Sequence, residues 1–165
     1  GGRYPVFNAD NSVARLYKKI NFIRKIKKNF NIKNSKNIKK EIKNLVKQDK
    51  KNIRKLELII HPLVRKKMRA LMLSKKNRKL LIFDIPLLIE SKLMKYFDII
   101  VFVHAKRKLR LKRYLYKKGN KKIFTILNKR QIMPSKKIKI SDHVIYNNSS
   151  LKVLKKNVKL LINKL

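Results

Sequence analysis

The sequence predicts an α/β fold in which a parallel sheet is flanked by helices, and two features of the chain support that prediction. Four short segments are rich in β-forming residues, and two of them, 79–85 (KLLIFDI) and 98–104 (DIIVFVH), are nearly continuous apolar runs. Such runs are typical of strands that are buried on both faces of a sheet. Segments with helical periodicity lie between the strands, and strands that alternate with helices pair in parallel through right-handed crossovers.

The predicted elements follow one another along the whole chain. The strands cover residues 4–9, 79–85, 98–104 and 142–146. The helices cover residues 12–30, 38–48, 52–75, 106–117, 121–130 and 150–164. Residues 18–52 are rich in Lys, Asn and Ile, yet their apolar residues recur at helical spacing, which predicts two amphipathic helices with a polar turn at 31–37.

Ligands of parallel sheets bind beside the carboxyl ends of the strands, so the polar residues at those ends are the first candidates for a functional site. They are Asp10, Asp84, His104 and Asn147. The three histidines of the chain are scattered and lack the spacing of zinc ligands, so we do not expect a zinc site.

Composition limits the class of protein. A chain of 165 residues with 44% hydrophobic residues is long enough for one domain with its own core. The absence of cysteine excludes disulfides and thiolate metal sites, and it is compatible with a reducing compartment. No apolar run approaches the roughly 20 residues that a membrane-spanning helix needs, and the amino end lacks the apolar segment of a signal peptide. We therefore expect a cytoplasmic protein with no membrane partner.

The charge is extreme, with 48 basic against 8 acidic residues and a net charge of +40. One explanation is a polyanion partner such as RNA, DNA or acidic lipid. The other is compositional drift, because lysine, asparagine and isoleucine are all abundant, as AT-rich codons would give. We favour drift, because the lysines are spread along the chain and aromatic residues are not interleaved with them as base-stacking platforms. Both explanations predict nonspecific polyanion binding in dilute salt.

Five short motifs occur in order on the predicted strands and helices. They are 5–10 (PVFNAD), 56–65 (LELIIHPLVR), 84–90 (DIPLLIE), 111–113 (LKR) and the Gln, Lys and Asp-x-Val-Ile-x-Asn pattern of 131–147. Together they resemble the dephospho-CoA kinase family of P-loop kinases. The resemblance implies a P-loop-kinase-like parallel sheet, a helical substrate-binding part at about 15–75 and a lid region at about 106–137.

The resemblance also implies an activity. Members of this family transfer a phosphoryl group from ATP to the ribose 3′-hydroxyl of dephospho-CoA with the help of Mg²⁺, which is the last step of coenzyme A biosynthesis. Catalysis of this kind relies on positioning and charge stabilisation rather than on a covalent intermediate. Dephospho-CoA is therefore the expected small-molecule partner, and ATP and Mg²⁺ are the expected cofactors.

One feature of the family is missing from these residues. The family begins with a strand and a Gly-x-x-x-x-Gly-Lys-Ser/Thr loop whose backbone amides hold the phosphates of ATP. The chain has only three glycines, Gly1, Gly2 and Gly119, and no segment matches the loop. We therefore predict that the first strand and the P-loop are absent, that the sequence begins about 25–30 residues late, and that these 165 residues alone are inactive.

The resemblance assigns catalytic roles to Asp10 and Arg113. Asp10 matches the second Asp of the family's strand-end motif, where a carboxylate can position or deprotonate the attacking hydroxyl. The structural alternative is that Asp10 caps the following helix. The first Asp of that motif is Asn8 here, which weakens any help it gives. Arg113 matches a lid arginine, which would stabilise charge on the transferring phosphoryl group.

Substrate binding is assigned to His61, Arg65 and Glu90. His61 and Pro62 match a His-Pro pair near the dephospho-CoA side of the family's site, but they could instead mark a helix boundary. Arg65 could pair with a substrate phosphate or be solvated. Glu90 could line the acceptor site or cap the next helix.

Nucleotide binding is assigned to Arg113, Lys117, Lys137 and Asn147. Lys117 replaces a second lid arginine, so the charge is kept without the bidentate fork. Lys137 matches the family's Lys that follows Gln131. Asn147 lies where the family's last loop meets adenine, and a side-chain amide there can bind the edge of the base, although a simple turn is the alternative.

Other functions remain as alternatives. Adenylate- and shikimate-type kinases share the fold class but lack the His-Pro and Pro-Leu-Leu-x-Glu motifs, so we discount them. A basic nucleic-acid-binding module and a decayed, non-catalytic homologue are the two alternatives from a different class.

Overall fold

A computed structural model of the chain describes residues 4–33, 37–49 and 51–165. They fall into two compact units, the first ending at Pro86 and the second beginning at Leu87. Each unit contains one pair of parallel strands. The predicted α/β class and the parallel pairing are therefore confirmed, although the described strands form two separate two-stranded ladders instead of one continuous sheet.

In the first unit, β1 (Val6–Asn8) pairs in parallel with β2 (Ile82–Asp84). The rings of Phe7 and Phe83, which are partners in this register, lie 5.8 Å apart. Both strands are shorter than predicted, because apolar side chains continue beyond the residues that form backbone hydrogen bonds in the ladder. The register places the last residues of the two strands, Asn8 and Asp84, directly opposite each other.

Four helices complete the first unit. They are α1 (Ala9–Leu16), α2 (Ile20–Phe30), α3 (Ile38–Gln48) and α4 (Lys51–Ser74). The single helix predicted for 12–30 is wrong, because Lys19 has an extended backbone and separates α1 from α2. The predicted polar turn begins at Asn31, which takes the left-handed conformation that asparagine tolerates, and residues 34–36 of that turn lie outside the described residues.

The core of the first unit comes from the periodic apolar residues of its helices. Ile26 is fully buried at its centre. The other buried members of this cluster are Leu16, Phe22, Phe30, Ile38, Ile42, Ile59 and Ile60. The Lys/Asn/Ile-rich segment therefore supplies most of a hydrophobic core, as its helical spacing predicted.

In the second unit, β3 (Val101–His104) pairs in parallel with β4 (His143–Tyr146). Its α-helices are α5 (Arg107–Tyr116), α6 (Lys121–Lys129), α7 (Pro134–Lys139) and α8 (Leu151–Lys164). Three of these four were predicted to within two residues. The short helix α7 was missed because it has only one apolar side chain after its starting proline, too few to produce a periodic pattern.

Among the residues that the structure describes, no helix combines the length and apolar character needed to cross a bilayer.

Candidate active site

One cluster of candidate site residues lies at the carboxyl ends of β1 and β2, in the first unit. The side-chain amide of Asn8 donates a hydrogen bond from Nδ2 to Oδ2 of Asp84 at 2.6 Å. The amide oxygen of Asn8 accepts a hydrogen bond from the backbone N–H of Asn11 at 2.7 Å, which makes Asn8 the N-cap of α1. One side chain therefore connects the end of β2 to the first turn of α1.

Asp10 lies in that first turn, two residues after the cap. The alternative that Asp10 itself caps the helix is wrong, because Asn8 fills that position. Partial burial and the negative charge of Asp84 raise the pKa of Asp10 above its ordinary value. A carboxylate with a raised pKa at a strand end is suited to accept a proton from a substrate hydroxyl.

His61 and Pro62 lie in the interior of α4, so the alternative that they mark a helix boundary is wrong. Pro62 has no N–H to donate to the carbonyl of Leu58. The side chain of Leu58 is 70% exposed, so this face of the helix is open to water, which can bond that carbonyl. His61 and Arg65 are both partly buried and lie one turn apart on the same face of α4.

Three cations that the sequence did not single out lie close together in the first unit. The pKa of Lys67 on α4 is lowered by burial and by the positive charges of Lys19 and Arg15. Lys67 is far along the chain from Arg15 and Lys19, and no motif connects it to them. Only the packing of α1 against α4 reveals the cluster.

In the second unit, Glu90 and Lys137 form an ion pair with 2.6 Å between Oε1 and Nζ, and both side chains are largely buried. The same carboxylate oxygen accepts a hydrogen bond from the backbone N–H of Ile132 at 3.0 Å. Burial acts to raise the pKa of Glu90, but the hydrogen bonds from Lys137 and from Ile132 outweigh it, and the pKa is lowered overall.

The pair connects the segment after β2 to α7. The Nζ atom of Lys137 also lies over the ring of Phe102 on β3, 5.7 Å from its centre. The alternative that Glu90 caps a helix is wrong, because the next helical element begins at Met94 and its N-cap is Leu93. The ligand-binding roles of Glu90 and Lys137 stay predictions.

Arg113 and Asn147 are brought together at the carboxyl ends of β3 and β4. The guanidinium of Arg113 donates to the backbone oxygen of Asn147 at 3.0 Å and to that of Ser149 at 3.4 Å. The backbone N–H of Asn147 donates to the oxygen of His104 at 2.7 Å. Lys117 is exposed at the C-cap of α5.

Asn148 is a residue of this cluster that the sequence analysis missed. Its Oδ1 accepts a hydrogen bond from the backbone N–H of Lys106 at 2.9 Å, which joins the loop after β4 to the loop after β3. The run of two asparagines and two serines that follows Tyr146 was the available signal. It predicted a turn but could not predict which loop the turn contacts.

Comparison with known proteins shows which family the chain resembles. A family model described as dephospho-CoA kinase matches residues 4–153. A dephospho-CoA kinase from Fusobacterium nucleatum is 38% identical over 120 residues, which cover 72% of this chain and 62% of that protein. One from Bartonella henselae is 30% identical over 165 residues, which cover 97% of this chain and 85% of that protein.

Two solved structures resemble this chain along almost its whole length. A protein from Thermus thermophilus has a TM-score of 0.72 at 25% identity, and the superposition covers 99% of this chain and 85% of that protein. A dephospho-CoA kinase from Campylobacter jejuni has a TM-score of 0.63 at 23% identity, and the superposition covers 98% of this chain and 85% of that protein. These likenesses confirm the predicted P-loop-kinase-like fold. Because the family model matches most of its length, the chain belongs to the dephospho-CoA kinase family.

Proposed function

We propose that the site at the ends of β1 and β2 serves the transfer of the γ-phosphoryl group of ATP to the ribose 3′-hydroxyl of dephospho-CoA. The observation that supports this proposal is a pair of neighbouring carboxylates, Asp84 at the end of β2 and Asp10 in the first turn of α1, which directly follows β1. Ligands of parallel α/β sheets bind at that edge. The chain spans 62% of the length of the Fusobacterium relative, so the reaction is proposed for the site and not asserted for these 165 residues alone.

Asp10 is the proposed base. The 3′-hydroxyl oxygen forms the new bond to the γ-phosphorus while the bond from that phosphorus to the β–γ bridging oxygen breaks and ADP leaves. The hydroxyl proton passes to the Asp10 carboxylate and then to solvent. The raised pKa of Asp10 brings its proton affinity closer to that of a useful general base.

Mg²⁺ is proposed to accompany ATP. Among the described residues, no group of three or more His, Cys, Asp or Glu side chains is arranged to hold a metal ion. Mg²⁺ in kinases keeps several waters and rests largely on the phosphates of its nucleotide, so a preformed protein cage is not required. The proposed role of Asp10 toward the ion is to accept a hydrogen bond from a metal-bound water. The ion itself would neutralise charge on the phosphates.

The nucleotide side is proposed to involve Arg113, Asn147, Lys117 and Lys137. Arg113 carries five N–H donors, and its two contacts to the 147–149 loop leave others that could donate to a phosphate. The side chain of Asn147 would bind the adenine edge. Lys137 is already paired with Glu90. To bind a nucleotide, its ammonium group would have to contact the phosphates as well as Glu90 or leave Glu90.

The dephospho-CoA side is proposed to involve His61, Arg65 and Glu90. We expect the 165-residue chain to bind dephospho-CoA in isothermal titration calorimetry. We expect Arg65→Ala to weaken that binding at least about tenfold, because a charge-assisted bond to a phosphate is lost. Lys66→Ala is the matched control, since it removes a neighbouring exposed cation of the same helix. Equal binding by the Arg65→Ala and Lys66→Ala variants would contradict the proposed role of Arg65.

The prediction that these residues alone do not turn over ATP is tested separately. A coupled assay for ADP release in the presence of dephospho-CoA should give no sustained rate, because no segment of the sequence matches the phosphate-binding loop. Sustained turnover would overturn that prediction while supporting the proposed reaction.

Polyanion binding is a second candidate function, and α8 favours it. Four lysines lie along one exposed side of this helix, and the helix contains no acidic residue. They are Lys152, Lys155, Lys156 and Lys159. We expect RNA binding in dilute salt that disappears by about 0.2 M salt, as for nonspecific charge neutralisation. Tight binding that persists above that concentration would favour a dedicated nucleic-acid surface.

A further inference from the structure

We propose that Asn8 is the positioning residue of the carboxylate site. Its amide donates one hydrogen bond and accepts another at the same time, which a carboxylate at this position could not do. Its Nδ2 atom holds the Asp84 carboxylate, and its Oδ1 atom holds the first turn of α1, which carries Asp10. The role of these carboxylates in phosphoryl transfer rests on the proposed function, whereas the geometry of Asn8 does not.

The orientation of the Asn8 amide is determined by its two partners. The backbone N–H of Asn11 requires an acceptor, and the carboxylate of Asp84 requires a donor. An asparagine amide has one oxygen that accepts and one NH₂ group that donates, so a single orientation satisfies both partners. The reversed orientation would place two donors together on the helix side and two acceptors together on the strand side.

The family motif has an aspartate at this position, and aspartate is as good an N-cap as asparagine. A carboxylate in place of the Asn8 amide could therefore accept the hydrogen bond from Asn11, but it has no proton to donate to Asp84. It would also face Asp84 directly across the parallel pair, where like charges repel. Asp10 already experiences the charge of Asp84, so a third carboxylate would add to an existing repulsion.

The asparagine that replaces the family's aspartate therefore removes a charge but adds a hydrogen-bond donor. Asn8 was expected only to weaken the motif, because it carries no charge. Its Nδ2 group, however, donates a hydrogen bond that fixes the orientation of the Asp84 carboxylate. We infer that Asn8 and Asp84 act as one hydrogen-bonded unit, so that an aspartate at position 8 is tolerated only when position 84 supplies the donor.

Exchange of the two side chains tests this inference. Asn8→Asp keeps the helix cap but loses the donor to Asp84, and we expect it to lower the folding equilibrium constant about tenfold in urea titrations near neutral pH. The double variant Asn8→Asp/Asp84→Asn restores one donor and one acceptor across the same pair and should recover most of that loss. Asp84→Asn alone, in which the new amide oxygen can still accept from Asn8, is the matched control and should stay close to the parent.

A spectroscopic measurement separates this contact from a general effect on stability. In an ¹⁵N–¹H correlation spectrum, the side-chain NH₂ signals of Asn8 should be shifted from those of solvent-exposed asparagines, because this NH₂ group donates to a carboxylate. These signals should be absent in Asn8→Asp. In the double variant, the amide introduced at position 84 should give NH₂ signals with a similar shift. None of these measurements uses ATP or dephospho-CoA, so their outcome is independent of the proposed reaction.

Two results would overturn the inference. Asn8→Asp that is as stable as the parent would show that Asn8 acts only as a cap, since aspartate caps equally well. A double variant that is no more stable than Asn8→Asp would show that the two side chains do not act as a pair. The second criterion also applies if Asn8→Asp is too unstable to fold, because the double variant must then fold.

Discussion

At the scale of single residues, sequence reasoning selected strand ends as candidate sites but could not predict the hydrogen-bond partners of each side chain. Asp10 was located by its motif, and the structure places it near Asp84, as expected for two parallel strands. The Asn8–Asp84 bond could not be predicted, because it depends on which residues of two strands far apart in sequence lie opposite each other.

The raised pKa of Asp10 leads to a prediction about stability. Because the folded-state pKa is higher than the ordinary value, the folded chain favours the protonated acid, and ionised Asp10 is destabilising. That cost is absent below the ordinary pKa and develops as the pH rises through the folded-state pKa. We therefore expect Asp10→Asn to raise the free energy of unfolding at neutral pH by less than about 1 kcal/mol, since water screens this exposed side chain.

The measurement is a set of urea titrations of both chains from acidic to neutral pH. The advantage of Asp10→Asn should shrink toward zero in acid. A neutral-pH advantage that persists undiminished in acid would contradict the electrostatic explanation.

At the scale of elements, periodicity predicted most helices because each buries a regular apolar stripe. Helix α3 was predicted with its observed ends, 38–48. The break between α1 and α2 was missed because apolar residues continue across it, and nothing in their spacing marks the extended backbone of Lys19. Helix α7 carries Lys137, whose buried contact with Glu90 is a tertiary interaction; the sequence analysis had treated these as two separate ligand-binding residues.

That ion pair gives a prediction for α7. Glu90→Ala leaves the ammonium of Lys137 buried without its carboxylate, and we expect the free energy of unfolding to fall by about 3 kcal/mol. The joint replacement Glu90→Leu/Lys137→Met should cost less than Glu90→Ala, because two apolar side chains leave no uncompensated charge. A double variant less stable than the single one, measured by urea denaturation, would contradict this reasoning.

The same pair has a defined pH dependence. The pKa of Glu90 is lowered in the folded chain, so its contribution to stability is present above the ordinary pKa and is lost as the pH falls through the folded-state pKa. The free energy of unfolding of the Glu90→Ala variant should therefore decrease less than that of the parent chain when the pH is lowered.

At the scale of the whole molecule, length and composition predicted a domain with its own core but left the meaning of its charge open. A net charge of +40 repels itself in the folded chain, and added salt screens that repulsion. We expect the thermal midpoint to rise when NaCl is increased from about 20 mM to about 0.3 M. A midpoint that stays constant or falls over this range would show that charge repulsion does not limit stability.

The most direct test of the central claim is to locate dephospho-CoA on the chain by NMR. The 165-residue chain is labelled with ¹³C and ¹⁵N and titrated with dephospho-CoA at about 0.2 M salt, where nonspecific charge binding is suppressed. We predict saturable shifts at Asn8, Asp10 and Asp84, including the carboxyl carbons of the two acids, with a smaller response in an Arg65→Ala chain. Shifts confined to the lysines of α8, or no saturable shifts at all, would contradict the claim that the ends of β1 and β2 form the active site.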